Sequence, residues 1–114
     1  MSTPLAKRIF VAWLPDYTDP EAIQRRLAVR QKHLEGIVQR ATAGTIKLGA
    51  VALTPESIDE QDKKFNGSIL FLEVESIEEA RRIVESDLYW TGNVWDKERA
   101  DIRPVLVSTA TPLF

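Results

Sequence analysis

Four stretches of the chain are rich in aliphatic, β-branched and aromatic residues, and each has the length of a β-strand. They cover residues 7–14, 45–53, 68–75 and 100–107. The first and third stretches are apolar at successive positions, which predicts strands buried on both faces in the middle of a sheet. The last stretch contains Pro104, which cannot donate to a strand ladder and is therefore expected at an edge or a bulge.

Two longer segments between these strands carry helix signals. Asp19 followed by Pro20 predicts an N-cap and a first helical residue, and the helix is expected to run to about residue 43, before Gly44. Ser76 and Glu79 form a capping-box pattern that opens a second helix. Residues 54–65 between the second and third strands are polar and predict a loop.

The resulting order is β-α-β-β-α-β. With the usual right-handed crossovers, this order predicts an α+β, ferredoxin-like fold with a four-stranded antiparallel sheet and both helices on one face. Length and patterning indicate a single domain over residues 1–114, with a core at 7–107 and a tail at 108–114.

One face of this sheet would expose apolar side chains to water, because the two helices bury only one side of strands that are apolar on both. We expect a second copy of the chain there, which gives a two-fold homodimer with two sheets packed face to face. The alternative is that the tail or the long loop covers this face.

Composition narrows the classes of partner and cofactor. The chain has 15 Lys and Arg against 17 Asp and Glu and a formal net charge of −2, which disfavours nucleic acid. It has no Cys and one His, so thiolate zinc and Fe–S sites are excluded and no metal or cofactor is expected. The longest apolar run, residues 9–14, is too short for a bilayer, and no signal-peptide pattern is present, so a cytoplasmic protein without membrane contact is expected.

The first helix carries an arginine among its apolar positions. At about 100° per residue, Arg30 falls inside the apolar stripe, with Arg26 and His33 along one margin. A guanidinium in that position needs a partner. The apolar positions that define the stripe are Ile23, Leu27, Leu34, Ile37, Val38 and Ala41.

Asp87 raises the same question on the second helix, where it is expected to point with the apolar face near the unfavourable C-terminal end of the helix dipole. His33 and Arg30 are the natural partners in this fold, which predicts a His–Asp pair with an arginine beside it. Such a pair can act as a general acid or base, and the arginine can bind an anion. The equally weighted alternative is a structural ion pair that ties the two helices together.

Three aromatic residues follow Asp87 closely. Tyr89, Trp90 and Trp95 can form the wall of an apolar pocket for a flat or ring-shaped ligand. The alternative is that they are core or interface aromatics, which we favour for at least one tryptophan.

Several segments, taken together, resemble a known family. Residues 26–34 are similar to an Arg-Leu…Arg-Pro-x-His-Leu segment, and 66–68 are followed by the Glu-x-Glu-Ser-x-Glu-Glu-Ala pattern at 73–80. Residues 86–89 and 102–104 are similar to an Asp-Pro-Tyr turn and a closing strand. By these motifs the chain resembles the YCII-related (YciI-like) family of small dimeric α/β-barrel proteins. The resemblance implies a dimeric barrel with a cleft beside a His–Asp active-site pair, which falls on His33 and Asp87.

The leading hypothesis is a small, cofactor-independent isomerase or lyase that transfers a proton on a ring or carbonyl metabolite. His33 would be the base or acid and Asp87 its orienting partner, while Arg30, Tyr89 and Trp90 would bind the substrate. The runner-up is a non-catalytic dimeric module that binds a metabolite or a partner through the same cleft. A third interpretation is a structural pair in a domain without a ligand.

Overall fold

The computed structural model describes residues 8–109 and has the predicted α+β, ferredoxin-like arrangement. Four antiparallel strands form one sheet in the order β2-β3-β1-β4. The elements are β1 (Arg8–Pro15), α1 (Ala22–Thr42), β2 (Ile46–Leu53), β3 (Phe65–Val74), α2 (Ile77–Ser86), α3 (Leu88–Thr91) and β4 (Asp101–Val105), with a 3₁₀ turn at Pro55–Ser57. Lys7, where the first strand was expected to begin, and residues 110–114 of the predicted tail lie outside the described residues.

The two apolar strands occupy the centre of the sheet, as predicted, and Pro104 lies in the edge strand β4 opposite Phe10. Alternate residues of β1, such as Phe10 and Leu14, are buried against the helices. The intervening residues face the other side, where Trp13 is 38% exposed opposite Ile69. The core therefore lies on one face of the sheet, between the strands and the helices.

The start of α1 differs from the prediction. The helix begins at Ala22 rather than at Pro20, and Asp19 does not cap it. Asp19 instead accepts two hydrogen bonds from the Arg25 guanidinium, at 2.7 and 2.8 Å. The carboxylate that was expected to hold backbone N–H groups is thus held by a side chain. The helix ends as expected before Gly44, whose φ of +84° lies in the left-handed region that glycine adopts without strain.

The start of α2 follows the predicted capping pattern with one change. The Ser76 hydroxyl accepts a hydrogen bond from the backbone N–H of Glu79 at 3.1 Å. The Glu79 carboxylate accepts from the backbone N–H of Glu75 at 3.1 Å, one residue before the cap. Both contacts fix the turn from β3 into α2.

The prediction of which face of α1 is buried was wrong. Four residues of the apolar stripe, Ile23, Leu27, Leu34 and Val38, are 40–62% exposed. The residues that α1 buries are Ala22, Arg26 and His33, which lie along the margin of that stripe. The helix turns this margin inward because both polar side chains find partners there, so that their burial leaves no group unsatisfied.

Within residues 8–109 the helices lack either the length or the apolarity needed to cross a bilayer. In the same part of the chain, no three Asp, Glu or His side chains are grouped so that they could hold a metal ion.

Candidate functional site

The predicted His–Asp pair is formed in the structure. His33 extends from the middle of α1, and Asp87 occupies the junction between α2 and α3. His33 Nδ1 lies 2.7 Å from Asp87 Oδ1, although the two residues are 54 positions apart in the chain. Only 7% of the His33 side chain and 14% of the Asp87 side chain are exposed.

The junction that holds Asp87 was not predicted. Asp87 ends α2 and caps the four-residue helix α3, where its Oδ1 accepts from the backbone N–H of Tyr89 at 2.8 Å. The carboxylate therefore accepts from the Tyr89 N–H at the start of a helical turn and does not face only the carbonyls at the end of α2. This cap fixes the carboxylate in the direction of His33.

The hydrogen bond defines the tautomer of the neutral imidazole. An ionised carboxylate only accepts hydrogen bonds, so His33 Nδ1 must donate to Asp87. In the neutral ring Nε2 then carries a lone pair and is free to accept a proton. Among the described residues, Nε2 has no hydrogen-bond partner. It is also not one of the polar atoms that are fully buried without a partner, so it retains contact with solvent.

His33 lines a cleft of about 90 Å³ between α1 and the β2 edge of the sheet. The cleft opens to solvent at Leu34 and Val51, which are 40% and 44% exposed. Its lining is mostly apolar and consists of His33, Leu34, Ile37, Gly49, Ala50, Val51, Ser68 and Leu70.

Two aromatic residues hold the imidazole ring. The Tyr89 ring stacks on His33 with centroids 3.6 Å apart and planes 10° apart, and Trp95 meets His33 edge-on at 5.9 Å. The Tyr89 hydroxyl is buried and has no hydrogen-bond partner among the described residues. Burial raises the pKa of Tyr89, and the positive charges of Arg26 and Arg30 partly oppose this effect. Tyr89 thus stays protonated at neutral pH.

Trp90 does not lie where the sequence suggested. It is half-buried in a different cavity, shared with Val84 and Ile102, and Lys97 Nζ lies 5.7 Å from its ring centroid. Consecutive residues of a helical turn point about 100° apart, so Trp90 points away from the His33 ring on which Tyr89 stacks. Neither Tyr89 nor Trp90 is part of the cleft lining, where both were expected. Trp95 supplies the second aromatic contact to His33.

Arg30 is also displaced from its expected place. It is exposed, whereas Arg26, one turn earlier on α1, is only 1% exposed. Arg26 donates to the Asp16 carboxylate at 2.9 and 3.2 Å, to Gly67 O at 3.3 Å and to Ser68 Oγ at 3.2 Å. The sequence analysis therefore placed the buried arginine at Arg30, one helical turn after its actual position at Arg26, because it assigned the wrong face of α1 to the core.

Ser68 lines the cleft although the sequence analysis gave it no role and included it only in the 66–68 segment of the family resemblance. Its side chain is buried and lines the cleft with His33, and its Oγ also accepts from Trp95 Nε1 at 3.1 Å. A signal for the neighbouring arginine was present in the sequence: Arg26 and His33 are seven residues apart, which is two helical turns and hence the same face. No comparable periodicity marks a serine within a buried strand.

Known proteins with similar sequences include two named Fusaric acid biosynthesis protein 2. The chain is 25% identical to that of Gibberella moniliformis over 95 residues, 83% of this chain and 89% of that protein. It is 25% identical to that of Gibberella fujikuroi over 104 residues, 91% of this chain and 96% of that protein. It also matches Aspartate kinase FUB3 of Fusarium oxysporum f. sp. lycopersici at 25% identity over 95% of this chain, but it spans only 19% of that protein's length.

A solved structure shares the fold. The 5-chloro-2-hydroxyhydroquinone dehydrochlorinase TftG of Burkholderia phenoliruptrix AC1100, in complex with 2,5-dihydroxybenzoquinone, superposes with a TM-score of 0.69 at 23% sequence identity. The match covers 83% of this chain and 90% of TftG. The sequence profile of the YCII-related domain matches residues 10–102. The chain therefore belongs to the YCII-related domain family.

Proposed function

We propose that this protein is a small-molecule enzyme of the isomerase or lyase type, in which His33 transfers a proton and Asp87 orients it. The observation that supports the proposal is the 2.7 Å contact between His33 Nδ1 and Asp87 Oδ1 beside an open cleft. This contact directs the free lone pair of the ring away from Asp87 and stabilises the imidazolium once a proton has been taken up.

The chemistry follows from these roles. His33 Nε2 removes a proton from a carbon next to a carbonyl of the substrate. The electrons of the C–H bond form a C=C bond, and the π electrons of the C=O bond move onto the carbonyl oxygen. The enolate then collapses in one of two ways. It takes the proton back at another carbon, which is an isomerisation, or it expels a leaving group, which is an elimination. The stacked Tyr89 ring keeps the imidazole plane fixed during the transfer.

The cleft favours a small substrate with an apolar face. Its walls are aliphatic apart from His33 and Ser68, and its rim is formed by Leu34 and Val51. A compact ring or carbonyl metabolite fits this lining, whereas a polyanion does not, because the described lining residues include no lysine or arginine. Arg30 stays outside the cleft lining in this arrangement.

The test is proton exchange, which can be measured before the natural reaction is identified. A panel of hydroxyquinones, hydroxylated aromatics and 1,3-dicarbonyl compounds is incubated with the protein in D₂O, and deuterium uptake is followed by NMR. We expect His33→Gln and Asp87→Asn each to slow the exchange about 10²- to 10⁴-fold. Asn at 87 retains an oxygen that can cap α3, and Gln31→Ala on the exposed face of α1 is the matched control.

The outcomes separate the three interpretations of the site. Exchange that persists unchanged in His33→Gln would contradict the enzyme proposal. Binding of panel compounds without exchange by the wild-type protein would instead support the metabolite-binding module. If the wild-type protein neither binds nor exchanges any compound while Asp87→Asn lowers the melting temperature, the pair is structural.

We also propose that the chain forms a homodimer through the open face of its sheet. Val11, Trp13 and Ile69 lie on that face, and the described part of the tail does not cover it, since Leu106 is 94% exposed. Paired with a second copy, this face would close two sheets around a common interior.

Sedimentation velocity tests whether the dimer forms and which face of the chain forms the interface. We expect the wild-type protein to sediment as a dimer at micromolar concentration and Val11→Glu as a monomer. Val38→Glu, on the exposed stripe of α1, should remain dimeric. A monomeric wild-type protein would refute the dimer, and dissociation by Val38→Glu alone would move the interface to α1.

A further inference from the structure

The fold leaves the most apolar face of α1 without a cover. Ile23, Leu27, Leu34 and Val38 form one stripe along this helix and are 44%, 55%, 40% and 62% exposed. Single apolar residues scattered over a surface are ordinary, whereas a contiguous apolar patch marks an interaction site. The exposed stripe of α1 is such a patch, because its four members share one side of a single helix.

The exposed stripe has the spacing of a two-stranded helix pair. The two core positions of a seven-residue repeat are taken by Leu27, Leu34 and Ala41 and by Gln24, Gln31 and Val38. Residues 24–41 therefore present three core layers over about 27 Å of helix. The two glutamines lower the stability that such a pair can reach, so the spacing indicates a weak, reversible contact between helices.

The charges beside the stripe favour a second copy of this chain as the partner. Arg30 and Glu35 flank the stripe, both are exposed, and neither has an ion pair or hydrogen bond within residues 8–109. Their separation of five residues is the one at which flanking residues of two parallel helices meet, so each Arg30 would face the partner's Glu35. An antiparallel pair that matches Leu27 with Leu34 would instead bring the two Arg30 side chains together.

We propose that the exposed stripe of α1 binds the same stripe of a second copy, with the two helices parallel about a two-fold axis. The contact is independent of the proton transfer by His33. It is also distinct from the dimer through the sheet, because Val11 and Trp13 lie on the face of the sheet away from α1. Leu34 belongs both to the stripe and to the rim of the His33 cleft, so the second copy lies beside the mouth of that cleft.

Sedimentation equilibrium of the full chain tests the contact. Two helix stripes bury less than the roughly 1,200 Å² at which stable interfaces begin, so the association is expected at high concentration. The weight-average mass should double between about 10 µM and about 1 mM. Leu27→Glu places a charge in the middle of the stripe and should abolish the doubling. A wild-type mass that does not rise in this range, or an equal rise in Leu27→Glu, would overturn the proposal.

Charge reversal tests the parallel orientation. Arg30→Glu and Glu35→Arg each turn two attractive contacts into repulsive ones and should weaken the association about 10-fold. The double variant restores both opposite-charge contacts and should return to within about threefold of the wild-type value. Lys32→Glu, which is exposed on the far side of α1, changes the net charge as Arg30→Glu does and should have no effect. A double variant that does not recover would overturn the parallel pairing.

Cross-linking tests the same orientation by distance. The chain has no cysteine, so one introduced cysteine reports a single position. In the parallel pair Val38 lies opposite the partner's Val38, and Val38→Cys should form disulfide-linked dimers at least about 10-fold faster than Lys32→Cys. In the antiparallel pair Val38 would lie opposite Ile23. Equal rates in the two cysteine variants would overturn the proposal, and melting curves verify that each variant is folded.

Val11→Glu separates this contact from the dimer through the sheet. In that variant the mass should rise from one chain to two through α1 alone. A rise that occurs in the wild-type protein but is lost in Val11→Glu would assign the association to the sheet face and overturn the contact through α1. A rise that persists in Val11→Glu and is lost on adding Leu27→Glu would support it.

Discussion

Removal of Arg26 is the perturbation whose effect on stability the structure defines best. Arg26 is 1% exposed and donates four hydrogen bonds, two of them to Asp16, whose side chain is 11% exposed. Arg26→Met keeps most of the aliphatic volume but leaves a nearly buried carboxylate without its cation. Breaking a buried ion pair in this way costs about 3–5 kcal/mol.

The lower value applies because Asp16 retains some contact with solvent, so we expect a loss of about 3 kcal/mol in the free energy of unfolding. For a domain of this size, each kcal/mol lowers the melting temperature by about 4 °C, which gives a decrease of about 12 °C. Thermal and urea unfolding followed by circular dichroism would measure it.

A double-mutant cycle with Asp16→Asn separates the pair from the packing of each side chain. The loss of stability in the double variant should be smaller than the sum of the two single losses by at least about 1.5 kcal/mol. The reason is that Arg26→Met alone also leaves the Asp16 carboxylate buried without a cation, a penalty that the double variant does not have. A loss below about 1 kcal/mol for Arg26→Met, or purely additive effects, would refute the view that this buried ion pair stabilises the fold.

Four further predictions concern stability. Tyr89→Phe should raise the free energy of unfolding by about 1 kcal/mol, because it removes a buried hydroxyl without a described partner. Burial also raises the Tyr89 pKa, so the wild-type protein should lose stability as the pH rises above 10, the ordinary pKa of tyrosine, and urea titrations of Tyr89→Phe should lack this component. The Arg25 guanidinium lowers the pKa of Asp19 from 3.8 to about 2, so the stability advantage over Asp19→Asn should be present above pH 4 and disappear as the pH falls through about 2; a gap independent of pH would contradict the pairing. Gly67→Ala should cost about 1–3 kcal/mol in urea unfolding, since the added Cβ would lie 2.8 Å from the Trp13 ring and 2.9 Å from a backbone oxygen; an unchanged midpoint would show that β1 can move.

Features encoded by local periodicity were predictable from the sequence. The doubly apolar stretches indicated the central strands β1 and β3, Pro104 indicated an edge strand, and Ser76 with Glu79 indicated the start of α2. Each depends on residues close together in the chain, so the relevant physics is visible in a short window. The His33–Asp87 contact was also predictable, because the helix order places the two elements side by side.

The orientation of α1 was not predictable in this way. A pattern of apolar positions assumes that the most apolar face is buried, yet α1 buries Arg26 and His33 and exposes Leu27. The deciding partners, Asp16 and Asp87, lie 10 and 54 residues away from them in the chain. Side-chain pairing outweighed hydrophobic periodicity here, and no window along the helix contains that information.

The proposed mechanism requires that Asp87 fixes His33 with its proton on Nδ1 and its lone pair on Nε2. His33 is the single histidine of the chain, so long-range ¹H–¹⁵N NMR of the uniformly labelled protein identifies its tautomer without ambiguity. At a pH where the ring is neutral, we expect a protonated Nδ1 and an unprotonated Nε2. A ring protonated at Nε2 would contradict the mechanism, because Nε2 could then no longer accept a proton from a substrate.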